Sequence, residues 1–153
     1  MNNLSLQERI DIITHKLKFI AQDVRPATLF LTAPYPFEEC KDTTLERYSH
    51  FAGGVRVGMD NGAVNLAEVI VIITPHPMEQ IIGDIAPFFG TDNWANTPAL
   101  KNNRLFVVNH SMIMNRVQEI EQMETIEMLA EILYPQYFNF GYEGAHWFRF
   151  EWQ

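Results

Sequence analysis

The apolar positions of this chain repeat with two different periods, and the alternation between them predicts an ordered series of helices and strands. Residues 5 to 22 read as an amphipathic helix. Ser5 is placed to cap it, with Glu8 three positions on completing a capping box. Ile10, Ile13, Leu17 and Ile20 then form one stripe at helical spacing. Ile12 and Phe19 fall off that stripe, so the helix is apolar on more than one side. Further helices are predicted over 43–54, with Leu45, Tyr48 and Phe51 on one face and Gly53-Gly54 as the stop, over 77–89, and over 118–133. The last of these should turn Ile120, Met123, Ile126, Leu129 and Leu133 inward.

Between the helices lie "ATLFLT" (27–32), the run 69–73 within "EVIVIIT", and "RLFVVN" (104–109), with "VRVG" as a shorter candidate strand. The run 69–73 is apolar at every position and the other two nearly so; such strands are normally covered on both faces, as in a parallel sheet between helix layers. The element order therefore predicts an α/β fold with a mainly parallel sheet sandwiched by helices. The two prolines of "APYPFEEC" (33–40) argue for irregular structure there. In the tail "HWFRFEW", His146, Phe148, Phe150 and Trp152 alternate with Trp147, Arg149 and Glu151, the pattern of an edge strand or of a tail ordered on the body.

Composition narrows the function classes. The chain has 153 residues, 47% hydrophobic and 20% charged, which suits a single domain with a substantial core. The 19 acidic residues outnumber 11 basic ones, giving a formal charge of −8. No run of Lys and Arg along the sequence offsets this, so nucleic acid is not expected as a partner. Cys40 is the single cysteine, which rules out an internal disulfide. No segment reaches the length and apolarity of a membrane span, and the start "MNNLSLQERIDII" lacks the pattern of a secretory signal. The expectation is a cytoplasmic protein with no membrane insertion, or a periplasmic one should the start be truncated.

Chemistry is expected at one place. Ligands of open parallel sheets collect outside the carboxyl ends of the strands, here "TAPYP", "TPHPME" and "NHSMIMN". His76 and His110 would share that rim, with Tyr35 and Met112 beside them. Aromatic, thioether and imidazole groups on one edge suit a flat apolar ligand, a macrocycle or a soft metal. The plain alternative is that Pro75-His76-Pro77 only stiffens the exit from a strand and that the methionines fill the core.

Catalysis finds little support. Cys40 follows Glu38-Glu39, whose charges oppose thiolate formation. There is no G-x-S-x-G elbow, no metal-ligand pair at protease or finger spacing, and no phosphate-cradling glycine motif. No cofactor and no resident metal are expected. Glu119, Glu121, Glu124, Glu127 and Glu131 crowd one helix and read as a solvated acidic face.

Five segments, in order, carry a resemblance. "RIDIITHKLKFIAQDVRPATLFL", "HFAGG", "LAEVIVI", "WANTPALKNNRLFVVN" and "IEMLAEILYPQYF" are similar to successive parts of the carboxyl-terminal lobe of the solute-binding proteins that serve cobalamin and iron-siderophore ABC importers, the class III periplasmic binding proteins. The resemblance runs from about Glu8 to the end of the chain. It implies a single Rossmann-like lobe over 1–153, with an interlobe-type helix over 1–24, an α/β body over 25–137 and an aromatic tail over 138–153. It also implies non-catalytic binding of a small molecule, a corrinoid or an iron chelate, at the carboxyl rim.

Two departures qualify it. The family's W-E-E before the third of these segments is replaced by Met59-Asp60-Asn61, so only Asp60 stands where an acidic residue would dock on the importer's permease. The family's Pro-Gly-Pro before the last helix is replaced by a segment that keeps only Arg116. A lone lobe would leave the first helix without part of its packing, and Ile12 and Phe19 then predict association of two copies about a twofold axis, with the rims facing each other as a substitute cleft. The competing expectations are an interaction module that kept the fold and lost the ligand, and an enzyme of unrecognised type.

Overall fold

Ser5 starts the first helix as its sequence predicts, its hydroxyl oxygen accepting a hydrogen bond from the Glu8 N–H at 3.2 Å. The computed structural model describes residues 5–20, 24–33, 37–59, 65–90, 94, 96–114 and 116–151. Helix α1 (Leu6–Leu17) is shorter than the apolar stripe suggested. The Phe19 and Ile20 N–H groups bond to the carbonyls of Lys16 and Leu17, three residues back, so the last turn tightens and leaves the helical path.

The remaining elements are β1 (Ala27–Thr32), β2 (Glu38–Glu39), α2 (Thr43–Phe51), β3 (Val55–Arg56), β4 (Val69–Thr74), α3 (Met78–Phe89), α4 (Pro98–Lys101), β5 (Leu105–Asn109), a short 3-10 turn (His110–Met112), α5 (Glu119–Leu133) and β6 (Trp147–Phe150). Strands β1, β4 and β5 are parallel neighbours, with Phe30 beside Val71 and Val71 beside Phe106. The short β2 and β3 share the outer side of β1, β2 antiparallel at its carboxyl half and β3 parallel at its amino half. Strand β6 closes the other side, antiparallel to β5.

Side chains of successive strand residues point to opposite faces, and both faces are covered. Phe30, Val71, Ile73, Phe106 and Val108 pack under α1, α2 and α5, whereas Leu29, Leu31, Ile70, Ile72 and Val107 pack with residues of α3 and α4. The unbroken apolar runs in the sequence follow from this: neither face of the interior strands β1, β4 and β5 is open to water. Edge strand β6 is covered in part, with Trp147 buried against Phe106 on the first face, Phe148 and Phe150 half-buried against the second, and Arg149 exposed. The aromatic tail is thus part of the sheet.

Gly53 ends α2 with φ +93°, a conformation that L side chains rarely adopt. A Cβ there would also meet Tyr134 Cε2 at 2.7 Å and Leu17 Cδ2 at 2.8 Å. The turn brings the Gly53 carbonyl to the Tyr134 hydroxyl, which donates to it at 2.8 Å. One glycine therefore fixes α1, α2 and the end of α5 together.

Two readings of α5 need correction. Ile120 is 51% exposed, in the first turn, whereas Glu119 and Gln122 of that turn are the residues that lie opposite α1. The acidic face is also not uniformly solvated: Glu127 and Glu131 are 4% and 3% exposed. Arg9 donates to both oxygens of Glu127, and Tyr142 donates its hydroxyl to the same carboxylate. Glu131 accepts from the backbone N–H groups of Phe140, Gly141 and Tyr142 and from the Trp147 indole. These two carboxylates join α1 and the carboxyl-terminal segment to α5. Burial of these carboxylates is tolerated because Glu127 accepts three hydrogen bonds and Glu131 four.

Candidate functional site

The parallel register fixes the rim. Thr74 at the end of β4 lies beside Asn109 at the end of β5, and the Asn109 N–H donates to the carbonyl of His146 at 3.0 Å. Three histidines therefore stand on adjacent chain segments at one edge: His76 two residues past β4, His110 directly past β5, and His146 just ahead of β6. His76 is exposed, and the other two are half-buried.

Each is held by local geometry. The Thr74 hydroxyl accepts from the His76 N–H at 3.0 Å, making a tight turn around Pro75. The Asn109 carboxamide oxygen accepts from both the N–H and the hydroxyl of Ser111 at 2.9 Å, which starts the 3-10 turn at His110. His146 donates its N–H to the Tyr142 carbonyl at 2.9 Å, and its ring sits 6.0 Å from that of Tyr142. Burial first, and then the neighbouring Glu127 charge, push the Tyr142 phenol well above its ordinary value. It stays a protonated donor, and the segment leading to His146 is anchored through it.

The other sequence candidates fall elsewhere. Met112 is buried beneath the rim within the core, and its carbonyl accepts from the Thr125 hydroxyl, so its thioether serves packing. Tyr35 and Asp60 lie outside the described residues. Ile12 is half-buried and Phe19 is 80% exposed, both away from the rim on and just past α1. Arg116 stays at the entrance to α5, where it pairs with Glu124 at 2.8 Å and donates to the Glu121 carbonyl. Burial raises the Cys40 thiol above its usual value, more than its acidic neighbours do.

His146 was missed in the sequence because it reads as one more alternating residue of an edge strand. Its signal was the position just ahead of that strand: an antiparallel edge strand must begin where its parallel neighbour ends. No group of three or more His, Cys, Asp or Glu among the described residues is arranged to hold a metal ion. The rim thus carries three histidines on neighbouring segments.

No family model and no curated protein matches this sequence. Solved structures do. An ABC transporter substrate-binding protein from Listeria monocytogenes superposes with a TM-score of 0.64 at 18% identity, over 85% of this chain and 54% of its own. The TroA-like periplasmic binding protein FepB from Veillonella parvula gives 0.66 at 13% identity, over 88% of this chain and 46% of its own. This is the fold of one lobe of a class III periplasmic binding protein. A periplasmic heme-binding protein from Pseudomonas aeruginosa agrees, with a TM-score of 0.62 at 15% identity, over 86% of this chain and 50% of its own. The chain thus spans about half the length of the periplasmic binding proteins it resembles. Among its described residues no helix is long and apolar enough to cross a membrane.

Proposed function

We propose that this lobe binds a small molecule without catalysis, at the rim formed by His76, His110 and His146, with Tyr35 as a further contact. The observation that carries the reading is the placement of His76, His110 and His146 on adjacent chain segments at the carboxyl edge of a parallel sheet, where such sheets take their ligands. A flat iron chelate, haem or corrinoid fits that chemistry, since imidazoles can contact its face or edge without supplying a full ligand set. The heme-binding protein from Pseudomonas aeruginosa, and the siderophore-binding FhuD from Vibrio cholerae with its Fe3+–Desferal, support the ligand class. Titration with haem, cobalamin and ferric siderophores, followed by absorbance, tests it. A spectral change lost in a His76→Ala/His110→Ala double variant is expected, and silence with all of them rejects the reading.

Pairing of two copies is the second element of the proposal. An apolar cavity of about 90 Å³ lies between α1, α2 and α5, lined by Ile10, Ile13, Phe51, Met123 and Ile126, and Phe19 stands exposed past the helix end. A twofold partner laid along α1 would cover this seam. Sedimentation at micromolar concentration should show a dimer that Phe19→Ser and Phe51→Ser weaken, and a monomer throughout contradicts it. Should no ligand bind while pairing persists, the lobe acts as an interaction module.

A further inference from the structure

The opposite end of the sheet carries a separate feature. Arg25 leads into β1 and lines two adjoining concavities of about 210 and 320 Å³. His50 at the end of α2 lines both, Lys18 just past α1 lines the first, and Gly54, Val55 and Arg56 line the second. Lys18, Arg25 and Arg56 are scattered in the sequence, which is why no basic run announces them, and folding gathers them with His50 at the strands' amino ends.

In a chain of net charge −8 such a gathering needs a reason. Arg56 has one, since it pairs with Glu39 at 2.9 Å, approaches Glu46 at 3.6 Å and donates to the Cys40 carbonyl. Arg25 has none among the described residues. No described carboxylate lies within ion-pair distance of it, and its Nε is sealed from solvent with no hydrogen-bond acceptor. Glu68, the nearby carboxylate, is engaged by the Ala27 N–H at 3.1 Å. Glu46, which also lines the second concavity, approaches Arg56 at 3.6 Å. A buried donor left unmet costs about 1–3 kcal/mol, and native structures rarely carry one without a use for it.

We propose that Arg25, flanked by Lys18 and His50, forms a binding site for an oxyanion, a phosphate or carboxylate group, at the pole of the lobe opposite the histidine rim. A guanidinium presents two parallel N–H donors that match two oxygens of such a group, and turning its Nε edge toward the cavity lets the anion satisfy the unmet donor. Lys18, exposed at the mouth, adds a mobile point charge, and His50 adds a ring N–H. The site needs neither the rim nor a second copy.

The test is titration of the arginine-labelled chain with inorganic phosphate, acetate or chloride at matched ionic strength, following the Arg25 Nε–H resonance. Phosphate or acetate should move that resonance saturably while chloride does not. A response to phosphate alone assigns a phosphate-bearing ligand, and a response to both assigns oxyanions in general. Arg25→Gln should weaken binding at least about tenfold, the loss of one charge-assisted bidentate contact. Lys18→Gln, at an exposed position that leaves the fold intact, should weaken it severalfold and serves if the Arg25 variant does not fold. No shift with either oxyanion, an equal shift with chloride, or unchanged affinity in the Lys18→Gln variant overturns the proposal.

Discussion

Replacing Glu131 by Gln tests how the carboxyl-terminal segment is held, and the structure gives the size of the effect. One carboxylate oxygen accepts from Phe140 and Gly141, and the other from Tyr142 at 3.2 Å and the Trp147 indole at 2.8 Å. A carboxamide keeps one acceptor oxygen and puts an NH2 where the other was. Two N–H donors then face a donor, and the two surviving bonds fall from charged to neutral strength. With about 1.5–3 kcal/mol for a hydrogen bond to a charged group, two losses and two weakenings amount to about 4 kcal/mol. That is a large fraction of the 5–15 kcal/mol that holds an ordinary domain together. At about 2–4 °C per kcal/mol for a domain of this size, Tm should fall by roughly 10 °C. The assay is thermal and urea unfolding followed by circular dichroism, with the Trp147 indole proton resonance as a local reporter. Glu124→Gln, on the same helix but at a 39% exposed side chain paired with Arg116, is the control and should change stability by less than about 1 kcal/mol. If Glu131→Gln stays within that same limit, the carboxylate does not hold the segment, and this account of α5 is wrong.

Arg9→Met should destabilise the chain by about 3 kcal/mol in urea unfolding, since it strands a buried Glu127 that keeps only the Tyr142 hydroxyl; a neutral result would show that water reaches Glu127. The Tyr142 phenol is raised in the folded state, so the native protein holds that proton more tightly than the unfolded chain does. Its contribution is fully present below pH of about 10, the unperturbed phenol value, and is lost as pH rises toward the folded value. Phenolate absorbance should accordingly show late-titrating tyrosines that Tyr142→Phe reduces, and normal titration of every tyrosine would refute the burial. Cys40 is buried with its thiol raised, so a disulfide reagent at neutral pH should label it only at the rate of unfolding; immediate labelling would contradict its placement.

How much of this was legible in the sequence depends on the range of the interaction. The interior strands were readable because β4 is apolar without interruption and β1 and β5 nearly so, a pattern that a sheet covered on both faces requires and a half-solvated one does not. Gly53-Gly54 marked the end of α2 through local backbone geometry. The glutamates of α5 misled because burial of Glu127 and Glu131 depends on donors 118 and 9 to 16 residues away, which helical periodicity cannot see. Arg25 was hidden for the same reason. The rim histidines divide along this line: His76 and His110 follow parallel strands directly, whereas His146 comes to the rim only through the antiparallel pairing of β6 with β5.

The five histidines make their own experiment, since His76, His110 and His146 lie along the rim while His15 and His50 sit on α1 and α2. Adding a paramagnetic ferric siderophore or ferric haem to the ring-labelled protein should broaden the three rim resonances first and leave those of His15 and His50 sharp. Broadening of His15 or His50 ahead of the rim, or no broadening of any ring with every chelate tried, would contradict binding at the carboxyl edge of the sheet.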